Sequence, residues 1–359
     1  MSYNKKNLVR FMFFLLVITF TLFVGASPVL SKTIIKMANI DSPFSLDLAK
    51  TNGEFNSTDI KCRAFKKIIE TASEGKYEVK IFPAGQLGGE REMYEMLKMQ
   101  SLQMTGCSGS PVANFAPEIM AFQIPYQFKD VNVALKVMNG PLGDELNELI
   151  VKRTGIRFLY WGFEGYMNIA NTKRPIAVPA DLKGMKIRSS VTPNVMELLR
   201  LAGGTPTSIP FNEIYTSVQQ GVVDGANTCL GLHYTIKLHE LIKYYSMAKT
   251  FFAWSPISIN EKFYRSQTPR DQYLIKNSAL KAMRVFQGML FWGEDLWIDL
   301  FQKRGIKFSF PTPAQEQEWI KAIGKPMEKW TRNKIGNEWV DKVMKATKKA
   351  EKELYGDIK

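Results

Sequence analysis

Two histidines, three cysteines and one serine-bearing string are the first places to look for chemistry in this chain. His233 and His239 stand six residues apart, a spacing that puts them on neither one helix face nor one strand face. Cys62, Cys107 and Cys229 are scattered with no CxxC pair, so no metal and no metal cofactor is expected. The string Gly106-Cys107-Ser108-Gly109-Ser110 is similar to a nucleophile elbow, but Ser holds its last position and no His lies near. It reads instead as a strand end opening into a loop. Arg188 offers another kind of chemistry. Its planar guanidinium can hold a carboxylate through two parallel charge-assisted hydrogen bonds. In the run Met185-Lys186-Ile187-Arg188, alternation sends Arg188 away from the apolar side, at a strand end. On the residue alone, a ligand contact and one more solvated basic side chain both stay open.

The elements that would position these residues alternate. A β-branched run (residues 33–39) is broken at Asp41-Ser42-Pro43. Apolar residues at helical spacing follow from Ile60 to Ala72, then a strand over Tyr77–Phe82 and a helix over Glu90–Met99. Later come a strand at Arg157–Trp161, helices at Pro193–Leu201 and Pro210–Gln220, and a short strand at Val222–Gly225. That rhythm belongs to an α/β protein with a largely parallel sheet. From Pro269 to Arg304 there is no interior proline and only two glycines, Gly288 and Gly293, which predicts one helix of roughly 35 residues. A helix that long spans two lobes.

The amino end carries an address. Lys5, Lys6 and Arg10 precede an uncharged run, Phe11–Val24, and then Gly25-Ala26-Ser27. A basic start, a short apolar stretch and small residues make a signal peptide, with cleavage expected after Ala26. The apolar run is shorter than the roughly 20 residues of a membrane-spanning helix. The whole chain has 48 Lys+Arg against 34 Asp+Glu; removing three basic residues with the signal leaves 45 against 34, a formal +11. Export and the dispersion of the charges argue against nucleic acid. The densest basic run, Lys342–Lys352, reads as a helix with Trp339, Val343, Ala350 and Leu354 on its apolar face.

Several strings then occur in a fixed order. They are Phe82-Pro83 with Gly85-Gln86-Leu87-Gly88 and Glu90; Phe115-Ala116-Pro117-Glu118; Asp181-Leu182-Lys183-Gly184-Met185-Lys186-Ile187-Arg188; Phe211-Asn212-Glu213 with Tyr215; and Gln219-Gln220-Gly221-Val222-Val223-Asp224-Gly225. Together they resemble the solute-binding subunit of tripartite ATP-independent periplasmic (TRAP) transporters, of the dicarboxylate-binding-protein (DctP) type. The resemblance implies an α/β, two-lobed periplasmic binding protein-like clamp with a long lobe-spanning helix. It implies a monomer that captures a small organic acid in the periplasm and delivers it to a TRAP membrane permease, with no cofactor and no catalysis. It raises Arg188 to the expected carboxylate ligand. The lobes are expected at 27–165 with 254–293, and at 166–253 with 294–359.

The chain also departs from that pattern. Where many members carry a second arginine in a Gly-x-Arg string, this one has Gly165-Tyr166-Met167-Asn168; after Asp224-Gly225 it has Ala226-Asn227-Thr228-Cys229 in place of Glu-Asn. One positive contact is retained and one lost, which favours a monocarboxylate with hydroxyl or keto groups over a C4-dicarboxylate. Asn168, Asn227 and Thr228 could serve such groups or simply cap loops. Phe211, Tyr215 and Tyr166 could wall the ligand or belong to the core, and Glu90 could contact it or favour a helix N-terminus. Lys186 or Arg91 could supply a second cation from elsewhere. The competing readings are the binding subunit of an ATP-driven transporter or receptor, and an exported enzyme acting on acidic substrates.

Overall fold

The computed structural model describes residues 32–43 and 58–356, so the signal segment lies outside the described residues. The first lobe begins with β1 (Thr33–Ala38), α1 (Thr58–Ala72), β2 (Tyr77–Phe82), α2 (Glu90–Lys98) and β3 (Met104–Thr105). Then come α3 (Val131–Met138), α4 (Pro141–Thr154) and β4 (Ile156–Tyr160). Asp130 caps α3 by accepting from the Asn132 and Val133 amides; α4 starts on Pro141 and stops at Gly155, whose φ of 68° suits a residue without a side chain.

The chain crosses into β5 (Phe163–Asn171), β6 (Lys186–Ser189), α5 (Pro193–Leu201), β7 (Thr205–Ser208), α6 (Ile214–Gln219), β8 (Gly225–Cys229), α7 (Leu230–Thr235), β9 (Tyr244–Ser246) and β10 (Phe252–Trp254). It returns through β11 (Ile257–Asn260) and α8 (Glu261–Arg265) to α9 (Pro269–Lys303), then adds β12 (Lys307–Ser309), α10 (Pro313–Trp319), α11 (Lys325–Ile335) and α12 (Asn337–Tyr355). Two sheets result. The first has the order β2-β1-β3-β11-β4; the second runs β12-β9-β5-β8-β6-β7, with β10 paired to β5.

The second sheet is knitted by the strings that carry the resemblance. β6 lies parallel to both β7 and β8, with Ile187 opposite Gly225 and Arg188 opposite Ala226. Asp181 accepts from the Ala177 and Val178 amides, and Gly184 takes a φ of 79° to turn the chain into β6. Asp224 accepts from the Lys186 amide at 2.9 Å and donates its own amide to the Lys186 carbonyl. A side chain at position 225 would collide with the Ala170 carbonyl, since an added Cβ would stand 2.1 Å from that oxygen. The strand expected at Val222–Gly225 therefore begins only at Gly225: residues 221–224 form the turn that delivers Asp224 to β6.

The long helix is present as α9, 35 residues capped by the Thr268 side chain on the Asp271 amide. It packs along α1 and then along α7 and β5, so one helix touches both lobes. Its buried stripe, Ile275, Ala279, Met283, Phe286, Leu290, Trp297 and Phe301, joins a core that includes residues of both sheets. α12 carries Trp339, Val340, Val343 and Ala350 into the core beside α3 and α4 of the first lobe, although residues 294–359 were expected with the second. Leu354, expected on that face, is 40% exposed; the residue that packs at this end of the helix is Tyr355, whose hydroxyl donates to Asp130. The three cysteines are all free and buried.

Candidate functional site

Between the lobes a cavity of about 40 Å³ is enclosed by residues far apart in sequence. From the first lobe come Ile40, Asp41, Thr58, Glu90, Ser108 and Ser110; β5 supplies Glu164 and Met167; the second lobe adds Arg188, Ser190, Phe211, Thr228 and Cys229. A larger groove of about 610 Å³ lies beside β4, with two cations in its lining: Arg157, already held by Glu148 and Glu261, and Lys276, which is exposed.

Arg188 is only 3% exposed. Its Nε donates to the Ile209 carbonyl at 2.8 Å and its Nη1 to the Asn227 carbonyl at 3.3 Å. Two backbone contacts fix the plane of the guanidinium and leave three of its five N–H donors for the cavity. Burial pulls its pKa down to about 10, while Glu90 across the cavity works in the opposite direction. It stays charged at neutral pH.

Glu90 opens α2 and accepts from the Ser108 amide at 3.1 Å. Burial pushes its carboxyl up to about 7 against that hydrogen bond and the pull of Arg188. Asp41 accepts from the Thr58 amide at 2.6 Å through Oδ2, whereas its buried Oδ1 has no hydrogen-bond partner among the described residues. Its pKa is also raised, chiefly by burial. Glu164 accepts from the Ser255 hydroxyl at 3.0 Å, and Ser255 in turn accepts from Lys61 Nζ. Lys61 is fully buried on α1; burial lowers its pKa, with Glu164 opposing, while burial lifts Glu164 to about 8.

The sequence candidates separate cleanly. Arg188, Glu90, Phe211 and Thr228 meet in the cavity. Asn168 and Tyr166 line a neighbouring crevice with Phe291 and Trp297. Asn168 is occupied there, donating to the Tyr166 carbonyl and accepting from the Lys249 amide. Tyr166 stacks into an aromatic group with Phe163 and Phe252. Asn227 contributes its carbonyl to Arg188 and turns its amide group to the Asn168 carbonyl. Both asparagines sit on strands, β5 and β8, rather than in loops. Tyr215 lies outside the cavity, its hydroxyl donating to Glu240 at 3.0 Å. Lys186 and Arg91 are exposed and neither lines this cavity. The buried cation that sequence reasoning missed is Lys61, and with it Asp41, Ser108, Ser110 and Glu164. His233 is structural: it is held between the Tyr245 hydroxyl and the Ala226 carbonyl, and burial drops its pKa to about 3.

Residues 49–333 match the profile of the bacterial extracellular solute-binding protein family 7, DctP. A solute-binding protein of Roseobacter denitrificans is 27% identical over 68% of this chain and 75% of its own length. The 2,3-diketo-L-gulonate-binding periplasmic protein YiaO of Escherichia coli is 24% identical over 73% and 80% of the two chains. Among solved structures, a TRAP periplasmic solute-binding protein from Bordetella, with density assigned to pantoate, is 26% identical, with a TM-score of 0.79 over 88% of this chain and 99% of that one. The fold alone is shared, at a TM-score of 0.82, 22% identity and coverage of 89% and 99%, with a sugar acid binding protein from Advenella mimigardefordensis in complex with galactonate. A match over most of the length, two lobes and a buried arginine between them agree: the chain belongs to the DctP family of TRAP solute-binding proteins, which bind small acids and are not enzymes.

Proposed function

We propose that this protein captures a small monocarboxylate in the periplasm, after removal of a signal peptide at Ala26, and hands it to a TRAP-type permease. The observation that carries the reading is Arg188, a buried guanidinium with fixed orientation and donors still available toward the inter-lobe cavity. Met167 supports the monocarboxylate. It stands in the stretch where the resemblance implies a second arginine, and it packs its sulfur 3.9 Å from that of Cys229. Solved relatives are described with galactonate, pantoate and succinate, so both mono- and dicarboxylates occur among the proteins this chain resembles. Among the described residues the cavity offers a second ionised carboxylate no free cation, since Lys61 is engaged with Ser255. Burying an unpaired carboxylate costs several kcal/mol.

The test is calorimetry with a panel of organic acids on wild type and Arg188→Ala. The variant should lose on the order of 2–5 kcal/mol of affinity for every acid while keeping its fold. Arg188→Lys should also bind worse, because an ammonium lacks the two-pronged geometry. Wild-type affinity in Arg188→Ala removes the assignment.

A further inference from the structure

The cavity is polarised. Arg188 stands on the second-lobe side, and the first-lobe side with β5 presents three carboxyl groups, Asp41, Glu90 and Glu164, interleaved with Ser108 and Ser110. Asp41 and Glu164 are buried at 1% and 3% exposure. Among the described residues Asp41 Oδ1, a buried acceptor, has no hydrogen-bond partner, and the one hydrogen bond described for Glu90 is to the Ser108 amide. Lys61 does not line the cavity; it donates to Ser255, which stands between it and Glu164, and from there its charge only partly offsets the effect of burial on Asp41, Glu90 and Glu164. A ligand whose carboxylate lies on Arg188 must place the rest of its chain against these carboxyls.

Three kinds of chain can be compared there. An alkyl chain would desolvate the carboxyls and give them nothing, and buried polar groups without partners are expensive. A second carboxylate would add negative charge to a wall that is already acidic. A hydroxyl donates to an ionised carboxylate and both donates to and accepts from a protonated one, so it satisfies the wall in either state. Because burial holds Glu90 near 7 and Glu164 near 8, both states are populated around neutrality. An ammonium would gain only from the ionised form.

We propose that Glu90, together with Asp41 and Glu164, reads hydroxyl groups on the acid held by Arg188, so that the ligand is a polyhydroxylated monocarboxylate. The inference rests on the carboxylate reading of Arg188 and goes beyond it by naming the specificity-determining residue. A keto group, which only accepts, is a poorer fit than a hydroxyl.

Calorimetry at pH 7 with four- to six-carbon aldonates, alkanoates and ω-amino acids of the same length tests it. The proteins are wild type, Arg188→Ala, Glu90→Gln and Glu90→Leu, each first checked by thermal melting. At least one aldonate should bind wild type about 100-fold more tightly than its alkanoate, a difference expected from two or three hydroxyl contacts. Glu90→Leu should weaken that aldonate at least about tenfold and bind the alkanoate as well as wild type does or better, with Glu90→Gln in between. Equal affinity for aldonate and alkanoate overturns the hydroxyl reading, as does equal loss of both in Glu90→Leu, preference for the amino acid, or no binding of any aldonate. In each of those cases loss of acid binding in Arg188→Ala keeps the carboxylate site standing. Undiminished binding in Arg188→Ala removes the carboxylate site itself.

Discussion

Glu90 makes the site sensitive to pH even before a ligand arrives. Its carboxyl is lifted from an ordinary 4.5 to about 7, mainly by burial, with Asp41 adding to the rise and Ser108, Arg188 and Lys61 opposing it. A carboxyl whose folded pKa is raised favours the folded state below its unfolded pKa. That contribution is lost as pH climbs through the folded value. Glu90→Gln should therefore match wild type near pH 4 and melt at a higher temperature than wild type at pH 8, in ligand-free protein. Melting curves across that range check the sign, and a variant less stable at pH 8 contradicts it. Glu164 is raised as well, so wild type itself should gain stability between pH 8 and pH 5 from Glu90 and Glu164, with Asp41, also raised by burial, acting in the same direction. Lys61, whose pKa is lowered, works in the opposite direction and makes the net gain smaller than the three carboxyls alone would give.

Two glycines give opposite expectations at the scale of elements. Gly225 lies in β8 where the backbone of β5 passes so closely that an added methyl would stand 2.1 Å from Ala170 O and 2.8 Å from Asn171 Cα. Neither backbone can yield without breaking the β5–β8 pairing that also carries Thr228 to the cavity. Gly225→Ala should cost about 3 kcal/mol or more and weaken acid binding with it. Gly288, by contrast, sits inside α9 with nothing within 4 Å of the place its Cβ would take. Gly288→Ala should raise stability by about 0.5–1 kcal/mol, because alanine loses less backbone entropy in a helix. Denaturant titration of the two variants measures both signs.

At the scale of the whole molecule, the cavity of about 40 Å³ has room for a few waters and not for a six-carbon acid. The lobes must part to admit such a ligand and close over it. The chain passes between the sheets from β4 into β5 and from β10 into β11, while α9 touches both lobes. Rotation about a few residues at these crossings is the motion such a connection permits, and a ligand held from both sides stabilises the closed form. Small-angle scattering should show a smaller radius of gyration at saturating ligand than without it. An identical profile in the two conditions argues for a rigid pocket.

What the sequence determined by itself is whatever repeats locally or stands at a fixed spacing. The stretch from 270 to 304 holds no proline and reads as one long helix, and it is α9. The alternation of Lys186, Ile187 and Arg188 placed the arginine opposite the apolar face, and the two motif strings turn out to hold each other through Asp224 and the Lys186 backbone. Packing alone decided which side chains meet. Asp41, Glu90, Glu164 and Arg188 lie on four separate segments, and no periodicity in any one of them announces the others. Lys61 shows this most clearly: a lysine in an amphipathic helix reads as surface, yet α1 presses it beneath Ser255 against the Phe286 ring, 5.0 Å from its centroid. Asn168, Tyr166 and Tyr215 show the converse, lying outside the lining of the cavity. Their types suit a ligand, but which side of β5 and which face of α6 look into the cavity depends on how the two lobes are stacked. That stacking is a property of long-range contacts, and local pattern carries no record of it.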